Sequence, residues 1–130
     1  MAAPTITGKG INRSVEAATA NFVFSATAAG DYASTVTIPA GATILGSATK
    51  ANVTMAGGTN LIIKMGPAGS ADAVSAAITT ADMNAALKQN FEAAVAPLAV
   101  TAANDGGVIS ITTTGTYASG DVDVTVFYVV

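Results

Sequence analysis

Apolar and polar residues alternate with a period of two through most of the chain after residue 20, as they do in strands with one buried face. The segments are rich in β-branched residues, and Gly-containing breaks separate them. The pattern predicts about seven or eight strands and a mainly β fold, a β-sandwich of the jelly-roll or Greek-key kind. The clearest segments are NFVFSAT (21–27), STVTI (34–38), ATILGSATKANVTM (42–55), NLIIKM (60–65), LAVTA (98–102), VISITTT (108–114) and DVDVTVFYVV (121–130).

Two breaks have the residues of specific turns. Ile38-Pro39-Ala40-Gly41 fits a type I turn, with Pro at the second position and Gly at the fourth. The run NDGG (104–107) supplies φ-permissive residues for a hairpin. A third Gly-containing stretch, PAGSADAV (67–74), is a loop that can form a small anion-binding nest.

The period changes between residues 80 and 95, in TADMNAALKQNFEAAV. Met83, Leu87 and Phe91 recur there at helical spacing, and Pro97 follows as a stop signal. This spacing predicts one α-helix inserted in the sandwich, at about 80–95. Residues 1–20 have no sustained period and are predicted to form an extended N-terminal arm, which leaves 21–130 as a single domain.

The last strand predicts an interface. One face is Val122, Val124, Val126, Tyr128 and Val130, while the other begins with Asp121 and Asp123 and ends with Phe127 and Val129. An apolar end on both faces indicates that both are covered. Phe127 and Val129 are therefore candidate oligomer-interface residues, and we expect the protein to form a homo-oligomer.

The chain carries little charge. Only 10% of its 130 residues are charged and 51% are hydrophobic, with a net charge of −3. A domain of this size usually carries about 25% charged residues, so much of the exterior is expected to face copies of itself or a partner. A nucleic-acid partner is not expected, because the sequence has no basic field. No apolar run approaches the roughly 18 residues of a membrane span, so no membrane partner is expected either.

Catalysis has few candidate groups. The sequence has no His and no Cys, and of its scattered carboxylates only Asp121 and Asp123 share the face of a strand. Such a pair can serve glycoside hydrolysis or bind calcium, but no further acid lies near in sequence. We therefore predict no catalytic residues, no metal and no cofactor, and keep a small carboxylate-dependent hydrolase as an alternative.

One resemblance adds to this picture. The segment TVTIPAGATILGS (35–47), followed at the far end by SGDVDVTVFYVV (119–130), resembles small structural proteins of tailed-bacteriophage virions, above all the capsid decoration or cement proteins. The resemblance implies a β-rich and often trimeric protein that clamps neighbouring major capsid subunits from outside and has no active site. Its place would be the capsid exterior of the virion, after synthesis in the host cytoplasm.

The leading hypothesis is therefore a non-enzymatic protein that stabilises a capsid by bridging major capsid subunits. A tail or fibre subunit that recognises a host glycan is the other alternative, although only three Tyr and four Phe are available as platforms. The arm carries Lys9 and Arg13 and no acid up to Val15, which makes it locally basic. Lys9 and Arg13 are the candidate capsid-contact residues, because such a segment can reach an acidic neighbouring surface.

Overall fold

The chain folds into two antiparallel sheets that face each other. The fold is given by a computed structural model that describes residues 3–5, 14–69, 71–99 and 107–130. Within these residues the strands are β1 Glu16–Thr27, β2 Gly30–Thr37, β3 Thr43–Gly57, β4 Asn60–Met65, β5 Asp72–Ala73, β6 Ile78–Thr79, β7 Gln89–Ala99, β8 Val108–Thr114 and β9 Tyr117–Val129.

The strand order identifies a jelly roll. Sheet A has the order β1-β9-β3-β7 and sheet B the order β2-β8-β4-β5, with β6 also paired to β4. Successive long strands thus alternate between the sheets, and every pairing is antiparallel. Two interlocked Greek keys of this kind form the double-sheet jelly roll. The mainly β sandwich predicted from the sequence is confirmed.

The core fills the space between the sheets, as the period-two pattern requires. Leu61, Ile63 and Met65 enter it from β4, and alternate valines enter it from β9. The rings of Phe24 and Tyr117 meet at one end, with centroids 5.2 Å apart and planes at 47°. Tilted pairs at this distance add to the stability that burial provides.

A glycine makes room for this aromatic pair. Gly58 has a φ of +65°, and a Cβ at this position would lie 2.5 Å from Cζ of the Tyr117 ring. Both the conformation and the contact therefore require a residue without a side chain. Burial of the ring raises the pKa of the Tyr117 hydroxyl above its ordinary value of 10.0, an effect that a hydrogen bond with Thr80 partly offsets.

The inserted α-helix predicted at 80–95 is wrong. A single 3-10 turn occupies Thr80–Met83, and strand β7 takes Gln89–Ala99. Between them Leu87 has a φ of +64°, which no helix interior allows. Met83 is buried, but Leu87 and Phe91 are exposed, so the spacing that suggested one helix face joins residues with different environments. Pairing with β3 satisfies the backbone of this segment instead.

Two local predictions also change. The turn lies one residue further on, because Ala42 N donates to Pro39 O at 3.3 Å. Gly41 becomes its third residue, with the positive φ of +84° that a type II turn needs there. Residues 16–20, assigned to the arm from the sequence, lie in β1.

Most of the hairpin proposed at 104–107 falls outside the described residues. In the described part of the chain, no helix has the length and apolarity to cross a membrane.

Candidate interaction surface

The outer face of sheet A has an apolar end, which we call the apolar patch. Its centre is a pair of rings, Phe91 on β7 and Phe127 on β9, with centroids 5.9 Å apart and planes at 49°. Phe91 is 64% exposed. The patch consists of Ala17, Leu45, Phe91, Phe127 and Val129, and none of these side chains carries a charge.

Gly46 allows the two rings to approach each other. It pairs with Phe127 on one side and with Ala93 on the other. A Cβ at Gly46 would lie 3.1 Å from Cζ of Phe91 and 2.7 Å from the carbonyl oxygen of Glu92. Because Gly46 has no side chain, the Phe91 ring can lie close to the backbone of β3.

The structure places both predicted interface residues in this patch. Phe127 and Val129 lie on the outer face of β9, which is a central strand between β1 and β3, and both are half-buried. Phe91 covers part of Phe127 from within the same chain. The sequence missed Phe91 because it had been assigned to the buried face of a helix. Its alternation with Asn90 and Glu92 was the signal for a strand.

The opposite end of the same face is polar. Asn21 Nδ2 donates to Asp121 Oδ1 at 2.5 Å and to Asp123 Oδ1 at 2.8 Å, and Asn52 Nδ2 donates to Asp121 Oδ1 at 3.1 Å. The two carboxylates thus share a face, as the sequence predicted. They are held by amide donors from β1 and β3, which no spacing within β9 could reveal.

The hydrogen bonds to asparagine limit what these two carboxylates can bind. A carboxylate oxygen that accepts an amide N–H group has fewer lone pairs left to bind a metal ion. Among the described residues, no three Asp or Glu side chains lie close enough together to hold a metal ion. The chemistry available at this end of the face is hydrogen bonding to a polar partner.

The N-terminal arm joins the sheet beside the apolar patch. β1 is an edge strand of sheet A and begins at Glu16, which pairs with Tyr128, and Ala17 pairs with Phe127. The candidate contact residues Lys9 and Arg13 lie outside the described residues. β1, the strand that follows them in sequence, therefore begins next to the apolar patch.

Comparisons with known proteins give the fold a context. The chain is similar to a chain in the capsid asymmetric unit of cyanophage Pam1, with a TM-score of 0.63 and 19% identity over 99% of this chain and 94% of that one. It is also similar to a chain in the acid-stable capsid of Helicobacter pylori bacteriophage KHP30, with a TM-score of 0.57 and 13% identity over 92% of each. No protein-family model and no curated protein sequence matches the chain.

These similarities concern the fold. Both alignments cover nearly the whole of both chains, so the shared part is the complete jelly roll and not a fragment of it. The phage resemblance noted in the sequence is therefore supported at the level of architecture. The identities are too low to transfer any residue's role from one chain to the other.

Proposed function

We propose that this chain is a non-enzymatic structural protein of a phage virion, which binds the outside of the capsid and bridges major capsid subunits. The observation that carries the proposal is the likeness in fold, over the whole chain, to chains of two phage capsids. The apolar patch supplies the kind of contact that such a role needs, since exposed apolar area beside a polar rim is typical of protein interfaces.

The composition of the surface supports a bridging role. Weak contacts made through uncharged area add strongly when one oligomer touches several neighbours at once, because each contact after the first is intramolecular. We therefore infer a homo-oligomer, most simply a trimer, assembled through the apolar patch with Phe127 and Val129. The arm with Lys9 and Arg13 would then reach the major capsid protein.

The geometry gives the hydrolase alternative no particular support, since Asp121 and Asp123 accept hydrogen bonds from asparagine side chains. A glycan-binding tail or fibre subunit differs from the proposal in how many copies each particle contains. Copy number is therefore the decisive quantity.

The experiment is quantitative mass spectrometry of purified virions, paired with particles made without this chain. A decoration protein is expected in a fixed ratio to the major capsid protein, and particles lacking it should still close but break at a lower temperature. A handful of copies per particle would instead place the chain in the tail. Failure of shells to form without it would make it a shell-building subunit, and its absence from virions would overturn the proposal.

A further inference from the structure

The edge strands of the two sheets differ in how readily another chain can pair with them. An edge strand presents a row of backbone N–H and C=O groups, and a short length, a Pro or a bulge disfavours pairing with a second molecule. On sheet B, β5 and β6 have two residues each, and the register of β2 against β8 shifts between Ala33 and Thr37. On sheet A, β7 contains Pro97, and its register against β3 shifts between Ile44 and Gly46. These edges are therefore poor templates for a further strand.

β1, the other edge of sheet A, has none of these interruptions between residues 16 and 25. It keeps a single register against β9 from Glu16 to Thr27, and the irregular residue near its end is Ala26, with a φ of +47°. The strand contains no Pro, Lys or Arg, and its one charged side chain is Glu16 at the start. Val23 on its outer face is 68% exposed. A long, regular and nearly uncharged edge of this kind is a site where another strand can add to the sheet.

Among the edges that the structure describes, a second copy of β1 is the one that matches β1 in length and regularity. Two identical edges pair about a two-fold axis, and the strands are antiparallel when this axis is perpendicular to the sheet. Sheet A of one copy then continues into sheet A of the other, with both outer faces on the same side. Like charges directly opposite each other would destabilise such a pair. β1 avoids them, since Glu16 lies at one end and the two strands run in opposite directions.

We propose that the β1 strands of two copies pair antiparallel with Asn21 at the two-fold axis, over residues 17–25 of each. This register uses the whole uncharged and regular part of the strand. On the outer face Thr19 lies opposite Val23 of the second copy, a pair of branched side chains of the kind that stabilises sheets. On the inner face Ala20 lies opposite Phe22 of the second copy, so a small side chain meets a large one.

The neighbouring registers are less favourable. A centre at Ala20 would place the Glu16 carboxylate opposite Phe24, whose ring is buried in the core, and would remove water from the charge. A centre at Phe22 would include Ala26, whose positive φ is not that of an extended strand.

This contact is separate from the apolar patch, and the inference does not depend on the proposed virion role. The apolar patch would build each oligomer, whereas the two-fold contact at β1 links one oligomer to another. A pair of single strands buries less area than a standard interface, so we expect association at about 0.1 to 1 mM.

Cysteine cross-linking tests the register, because the sequence has no Cys. Directly opposite residues of antiparallel strands have Cα atoms about 4.5 to 5.5 Å apart, within the range that a disulfide spans. Asn21→Cys should therefore form a disulfide dimer with itself on mild oxidation of the full chain. Thr19→Cys and Val23→Cys should each cross-link little alone, but a mixture of the two should give mainly the mixed disulfide, identified by peptide mass spectrometry.

Val53→Cys measures the background from random collision, since Val53 is 54% exposed but lies on β3, away from this edge. Self-cross-linking of Thr19→Cys above that background would mean parallel pairing and would overturn the proposal. So would Asn21→Cys that cross-links no more than Val53→Cys.

A lysine on the edge tests the same contact without cysteine. The Phe127→Asp chain, which lacks the apolar-patch contact, should dimerise at about 0.1 to 1 mM in sedimentation equilibrium. Addition of Val23→Lys should weaken this dimer about tenfold, because Lys opposes edge pairing and the pair it replaces occurs twice. Val23→Thr keeps a branched side chain and should leave the dimer unchanged. Val23 is exposed in the single chain, so both variants should remain folded. Equal association of the two variants, or no dimer in this concentration range, would contradict the pairing.

Discussion

The rings of Phe91 and Phe127 pack against each other on the outer face of sheet A, tilted and with centroids 5.9 Å apart. They belong to strands that are not direct neighbours. β3 runs between them, and Gly46 within it allows Phe91 to lie low against the sheet. Phe91 is exposed and contributes little to the core, so mutation can separate its effect on stability from its effect on contacts with partners.

Phe91→Ala should cost only about 1 kcal/mol of unfolding free energy, the value of a surface aromatic pair. Removal of a buried Phe would cost about 3 to 5 kcal/mol. Urea melts measure the difference. Val23→Ala on β1 is the control, since Val23 is 68% exposed and makes no such pair. A loss above about 3 kcal/mol would mean that Phe91 is buried in the folded chain.

Phe127→Asp should convert the oligomer to monomers. A charge placed in the apolar patch must be desolvated on association, and in a symmetric assembly it is repeated in every copy. Light scattering at micromolar concentration should report a trimer for the natural chain and a monomer for the variant. Asp123→Asn, at the polar end of the same face, should leave the oligomer intact. A natural chain that is already monomeric would contradict self-association through this patch.

Gly58→Ala should be more damaging than Gly41→Ala, although both glycines have positive φ. At Gly41 a Cβ meets nothing within 4 Å, so the cost is backbone strain alone, roughly 1 to 2 kcal/mol. At Gly58 the Cβ also collides with the Tyr117 ring, which should raise the total above about 3 kcal/mol. Thermal or urea unfolding of the two variants measures the difference. Equal losses would show that the ring moves aside freely.

Stability should fall as the pH rises above 10, and Tyr117 should contribute to the fall. The folded chain holds the hydroxyl proton more tightly than the unfolded chain, because burial raises the pKa of Tyr117. Above the ordinary value the unfolded state therefore binds fewer protons, and the free energy of unfolding decreases with pH. Tyr117→Phe should flatten this dependence from about pH 10 upward while remaining folded near neutral pH. Parallel curves for both proteins would exclude the contribution.

Removal of residues 1–13 should leave the melting temperature unchanged but weaken attachment to the capsid. The segment brings Lys9 and Arg13 and precedes β1, so its loss leaves all the described strands in place. Attachment of the truncated chain to undecorated particles should be weaker at low salt, where the basic side chains matter most. Replacement of Lys9 and Arg13 by Gln in the full chain separates charge from length. Full occupancy by the truncated chain at both low and high salt would contradict the role of the arm.

The sequence predicted the sandwich because most strands have one buried and one polar face. β9 shows this well: alternate valines fill the core, and Asp121 and Asp123 share the other face. β7 reverses the rule, since Asn90 and Glu92 point inward beside Ser47 and Thr49 while Phe91 is exposed. The alternation around Phe91 was visible in the sequence, but a strand with its polar residues inward and its aromatic residue outward does not show which face is buried, and this reversal concealed the place of Phe91 in the apolar patch.

The order of strands in sheet A also determines when this protein can fold. Among the described strands of its sheet β1 pairs with β9 alone, and Glu16 has its partner Tyr128 more than a hundred residues later in the chain. β1 therefore cannot complete this pairing until β9 has been synthesised. Long-range pairing of this kind gives slow folding, on the order of milliseconds to seconds. Until β9 is synthesised, β1 and β3 expose unpaired edges, and aggregation competes with folding during that interval.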